Sequence, residues 1–82
     1  MNNKNSPMLA FGRRLREKRT ESGLTQEELA TIAGLDRTYV SSCERGRRNV
    51  SLENIYKFST ALNISPKELL PEPAEIGESN GA

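Results

Sequence analysis

Arg37, Thr38, Ser41, Ser42 and Arg45 place guanidinium and hydroxyl groups at helical spacing within RTYVSSCER, residues 37–45. At about 100° per residue, Ser41, Arg45, Thr38 and Ser42 fall within one arc of roughly 140°, while Val40, Cys43 and Tyr39 occupy the other side. A helix face selected for solubility alone more often carries lysine or glutamate. Short hydroxyls let a backbone approach closely, and arginine can make a bidentate contact with guanine. Arg47 and Arg48 follow at once, where they could reach phosphates beside a groove. Taken alone, this helix fits a solvated polar face and a base-reading face about equally well.

The residue inventory excludes most other chemistry. The 82 residues include no histidine, a single cysteine and no glycine-rich phosphate loop. Zinc sites, Cys–His or Ser–His nucleophiles and P-loops are therefore not expected, and neither is any cofactor or metal. Glu27 and Glu28 are neighbours on a helix and point in different directions, so they form no acid–base pair. An enzyme is not expected. Cys43 has no partner for an internal disulfide and reads as a small buried hydrophobe.

The chain is 34% hydrophobic and 28% charged, which suits one small globular domain near the lower size limit for independent folding. No apolar run could span a bilayer and MNNKNS carries no signal sequence, so a cytoplasmic protein without membrane contact is expected. The net charge of +1 hides a gradient: residues 71–82 contain Glu72, Glu75 and Glu78 and no basic residue. Residues 1–70 are left with twelve basic against eight acidic side chains, and nine of the basic ones lie between Arg13 and Arg48.

Local punctuation defines the elements that would position these groups. Thr25 with Glu28, and Ser65 with Glu68, form capping boxes, the second followed by Pro66 at the first helical position. Asp36 and Ser51 supply two further N-caps, with Leu35–Val40 and Val50–Ile55 as hydrophobic staples. Gly23, Gly34, Gly46 and Asn63 can close the preceding helices in the left-handed conformation. Helices are expected at 8–22, 26–33, 37–45, 52–62 and 66–70, an all-α, compact five-helix bundle. Residues 1–7 would be a flexible N-terminus, 8–70 the folded domain and 71–82 a disordered acidic tail. Only Gly34, Leu35 and Asp36 separate the second and third helices, the arrangement of a helix-turn-helix.

Set after that turn and before a basic loop, the polar face of residues 37–45 favours DNA. Gln26 opens the helix before the turn, where free N–H groups and the helix dipole suit a phosphate. Tyr39 fits either the edge of the core or a phosphate contact through its hydroxyl, the second being preferred. Arg19 lies about 80° from Phe11 and about 40° from Leu15 on the apolar stripe of the first helix, so it needs a partner. Glu44, at the margin of the third helix's core face, is that partner.

The run TQEELATIAGLDRTYVSSCERGRRNVSLENIYKFSTALNISPKELL resembles the helix-turn-helix domain of phage repressor and Cro-like (XRE-family) transcription regulators. LDRTYVSSCERGRRNVSLENI is similar to the controller proteins of restriction–modification systems in particular. The resemblance extends from about Phe11 to Leu70. It implies a lambda-repressor-like DNA-binding domain acting as a homodimer on a (pseudo)palindromic operator in double-stranded DNA. By position, Arg37, Thr38 and Ser42 match base-reading residues of the family, with Ser41 beside them. Gln26, Arg48 and Asn49 match phosphate-contacting positions, to which Arg47 and Tyr39 are added. Arg19 and Glu44 match a buried salt bridge. RNA polymerase is a further partner where such a protein activates transcription.

With no further domain expected after Leu70, a dimer would use the helical domain itself, with Phe58, Ile64, Leu69 and Leu70 as candidates; ordinary core is the competing role, and for Leu69 the main one. The competing reading is an interaction module of the same fold, antitoxin-like or coactivator-like, which would expose large apolar anchors on the third helix.

Overall fold

The computed structural model describes residues 6–76. Helix α1 spans Pro7–Glu21, α2 Gln26–Ala33, α3 Arg37–Glu44 and α4 Leu52–Leu62; a 3-10 helix follows at Pro66–Leu69 and a last turn, α5, at Pro73–Ile76. No strand occurs among the described residues.

Each boundary has a local cause. The Ser6 hydroxyl accepts from the Leu9 N–H at 3.0 Å and Pro7 takes the first helical position, so α1 starts one residue before the expected 8. Thr25 and Glu28 exchange the two bonds of the capping box, at 3.0 and 2.8 Å. Asp36 and Ser51 accept from Thr38 and Asn54, at 3.0 and 3.1 Å. At the sharp turn, Gly34 adopts φ +73° while the Leu35 N–H bonds to the Ala30 carbonyl at 2.9 Å, which ends α2 and redirects the chain into α3.

The fifth helix differs from expectation. Residues 66–69 form a single 3-10 turn rather than an α-helix through 70, because Leu70 precedes Pro71 and is held extended at φ −91° and ψ 121°. The acidic segment also differs from the expected tail. Proline presets the first position of the turn Pro73–Ile76, and Glu75 is paired with Arg14 of α1. The remainder of the expected tail, 77–82, and residues 1–5 of the expected flexible N-terminus lie outside the described residues.

Leu15, Leu29, Val40, Cys43, Phe58 and Leu69 are fully buried at the centre, with Phe11, Ala30 and Leu62 around them. Every α-helix from α1 to α4 contributes, and each large side chain so buried stabilises the fold by about 1.5–3 kcal/mol. The Phe58 ring lies between Phe11 and Tyr39, with both centroids 6.5 Å away. Cys43 is inside this cluster, and burial pushes its thiol above the usual range, consistent with an inert hydrophobe.

The backbones of α1 and α3 approach closely at Gly12. A Cβ on Gly12 would sit 2.5 Å from the Cys43 carbonyl oxygen and 2.6 Å from that of Glu44. Both obstacles are backbone, so no side chain can rotate away. Gly12→Ala is expected to destabilise the fold by about 1–3 kcal/mol through this clash, despite alanine's better helix propensity. Chemical unfolding of the variant checks it; an unchanged or raised midpoint would mean that α1 and α3 separate freely.

Candidate nucleic-acid interface

The site is built on α3, whose inner face anchors it. Val40, Cys43 and Glu44 are buried, whereas Arg37 and Thr38 are exposed and Ser41 and Ser42 are half-buried. The exposed Arg37 and Thr38 and the half-buried Ser41 and Ser42 thus form a short outward strip on a helix fixed from behind. Arg45, placed on this face by the sequence but not named among the base-reading residues, contacts the Ser41 hydroxyl along the strip. Its four-residue spacing from Ser41 was the available signal.

The helix ends in a closed turn that projects the next basic residues. Gly46 takes φ +76°, its N–H bonding to the Cys43 carbonyl at 3.0 Å and the Arg47 N–H to the Ser42 carbonyl at 3.0 Å. Arg47, Arg48 and Asn49 emerge from this turn, all exposed. The Arg48 guanidinium sits 5.3 Å from the centroid of the Tyr39 ring, a cation–π distance that restrains an otherwise mobile side chain.

Tyr39 belongs to both environments between which the sequence had to choose. Its ring stacks on Phe58, with an interplanar angle of 8°, while its hydroxyl accepts from Asn54 Nδ2 at 2.9 Å. Burial pushes the phenol above its ordinary range, so the O–H proton is retained, with the Cys43 thiol among the groups it faces. Asn54, on α4, therefore orients Tyr39. Nothing in the sequence links two residues fifteen apart on different helices.

Behind the strip lies an ion pair. Arg19 Nε and Nη2 donate to Glu44 Oε2 and Oε1 at 2.6 and 3.0 Å, and Arg19 Nη1 donates to the Leu24 carbonyl at 2.7 Å. The Glu44 side chain is 3% exposed and that of Arg19 13%. The hydrogen bond with Glu44 raises the Arg19 pKa above its ordinary value in spite of burial, so the guanidinium stays charged throughout the physiological range.

Gln26 joins the same network. Its Nε2 donates to Glu44 Oε1 at 3.0 Å, so a residue assigned from the sequence to a phosphate is also engaged inward. One Nε2 hydrogen, the side-chain oxygen and the adjoining N–H groups at the start of α2 are what it can still offer a ligand.

The residues expected at a dimer surface divide. Phe58 and Leu69 are fully buried in the chain's own core and cannot contact a second copy. The apolar character that marked them reflects packing around α4 and the 3-10 helix. Ile64 is half-buried and Leu70 is 46% exposed. Leu52 and Tyr56 of α4, not singled out from the sequence, expose 69% and 54% of their surface. They were obscured because Leu52 continues the apolar stripe of its helix.

Comparison with known proteins is consistent with this geometry. A family described as helix-turn-helix matches residues 15–69. The control protein C.BamHI of Bacillus amyloliquefaciens is 51% identical over 67 residues, covering 80% of this chain and 83% of its own. The control protein C.MunI of a Mycoplasma species is 45% identical over 69 residues, covering 83% and 93%. Among solved structures, the restriction-modification controller protein C.AhdI from Aeromonas hydrophila superposes with a TM-score of 0.76 at 60% identity, over 77% of this chain and 96% of that one.

The network sets a stability prediction. Glu44→Gln keeps the shape but leaves the Arg19 guanidinium without its counter-charge, and should destabilise the fold by about 2–4 kcal/mol, less than a fully buried pair because Arg19 is partly solvated. Arg19→Met in the same chain should recover a large part of that loss. Denaturant unfolding of the single and double variants checks both; additive losses would mean that the two side chains do not act as a pair.

Proposed function

The chain belongs to the helix-turn-helix family of DNA-binding transcription regulators, and from that premise we propose that it is a restriction–modification controller protein, acting as a homodimer on a (pseudo)palindromic operator. The observation that carries the DNA reading is the outward arginine, threonine and serine strip of α3, clamped from behind by Arg19, Glu44 and Gln26. The large exposed apolar side chains among the described residues, Met8, Ile32, Leu52, Tyr56 and Leu70, all lie off α3. A protein-docking helix would carry such anchors on its outward face, so the interaction-module reading is disfavoured. Family membership also places the chain among regulators rather than enzymes.

In this reading α3 enters the major groove. Arg37, Thr38, Ser41 and Ser42 address base edges, and short hydroxyls allow the backbone close approach. Arg47, Arg48 and Asn49 grip phosphates on one side, with the Tyr39 hydroxyl beside Arg48, and Gln26 with the start of α2 grips them on the other. One such helix spans only a few base pairs, so two copies with half-sites about one turn, roughly 34 Å, apart supply the specificity. Ile64, Leu70, Leu52 and Tyr56 are the apolar surface available to that dimer. Binding near its own promoter would let the protein activate and then repress with dose, RNA polymerase being the partner in the activating state.

Two substitutions separate reading from gripping. Arg37→Ala should cost about 1–3 kcal/mol of operator affinity and relax the preference at one base pair per half-site, as measured by selection from a randomised operator library. Arg48→Ala should weaken all duplexes to a similar degree and reduce the slope of log affinity against log salt by about one per subunit. Unchanged sequence preference in Arg37→Ala would remove α3 as the reading element.

A further inference from the structure

The acidic segment after Leu70 is docked beside the phosphate-gripping loop. Glu75 pairs with Arg14 of α1, whose side chain is only 23% exposed. Pro71 and Ile76 share the lining of one groove with Met8, Phe11, Arg48 and Asn49. The turn is thus held through two consecutive residues at its C-terminal end, the ion-paired Glu75 and the groove-lining Ile76. Between Pro71 and Ile76 the chain carries two carboxylates, Glu72 and Glu75, and no basic residue.

Within the DNA-binding reading, on which this rests, we infer that the segment 71–76 acts as an intramolecular brake on backbone binding. Glu75 neutralises Arg14, and Glu72 directly follows Pro71, which lines the groove shared with Arg48 and Asn49 where phosphates would be met. DNA presents one phosphate charge per roughly 1.7 Å of duplex, so the carboxylates of this segment oppose its approach to the neighbouring rim within a screening length of about 10 Å. Backbone contacts carry no sequence information, so the brake falls equally on every sequence. It thereby lowers the occupancy of non-operator DNA and leaves the base contacts of α3 to discriminate.

The test uses the full chain and a duplex of random sequence, with dissociation constants measured from about 50 to 200 mM salt. Glu72→Gln/Glu75→Gln removes the charge and leaves the turn's backbone and Ile76 in place. Ile76→Ala frees the turn while keeping its charge. The double variant is expected to bind about three- to tenfold tighter than the parent at low salt, the gain shrinking as salt rises. Ile76→Ala should show a smaller gain of the same sign. Unchanged or weaker binding by the double variant would overturn the brake, and a gain there without one in Ile76→Ala would overturn the role of docking. Absence of binding by the parent at low salt would instead overturn the DNA reading itself, and the brake with it.

Discussion

Two opposite charges, one on α1 and one on α3, must find each other inside a small core, and the architecture follows from how they do. Glu44 is among the most buried polar side chains described and accepts from Arg19 twice and from Gln26 once. Arg19 spends its remaining reach on the Leu24 carbonyl, in the connection between α1 and α2. A single carboxylate therefore joins α1, α3 and the first residue of α2. A charge left without partners in such a place would cost several kcal/mol, so the three elements are bound to one arrangement. Gly12 permits it: only a residue without a Cβ lets α1 lie against the carbonyls of Cys43 and Glu44, close enough for the pair to form.

That constraint is what allows α3 to serve as an instrument. A helix of eight residues is too short to hold its own shape in water, and its outer face contributes nothing to the core. Its orientation is set instead by Val40, Cys43 and Glu44. The outer strip is therefore free to carry residues chosen for what they touch rather than for stability. Tyr39 extends the same division across its own ring, stacked on Phe58 on one side, with Arg48 at cation–π distance and its hydroxyl oriented by Asn54.

Much of this was legible in the chain because its instructions are local. Thr25 with Gly34 fixes α2 and Ser51 with Asn63 fixes α4 to the residue, and the wheel position of Arg19 was sufficient to require a buried acid. What was not legible depends on distance in space. Phe58 is open to a surface or a core role until the helices are packed, and it proves to be core, as Leu69, read mainly as core, also does. Gln26 reads as a free cap neighbour because Glu44 lies eighteen residues away. The turn Pro73–Ile76 has no amphipathic period to announce it, since it owes its place to Arg14 and a groove assembled from several elements. Gly12 was passed over because a glycine inside a helix shows its reason only when a second helix touches it.

Two copies of α3 reading bases at once would leave a two-fold signature in the DNA they bind. Selection of bound duplexes from a fully randomised pool addresses it directly, because it needs no prior choice of operator. Paired reading requires enrichment of a two-fold related pair of short motifs centred about ten to eleven base pairs apart, one turn of the double helix. Enrichment of no sequence over the starting pool, or of a single unpaired motif, would contradict it.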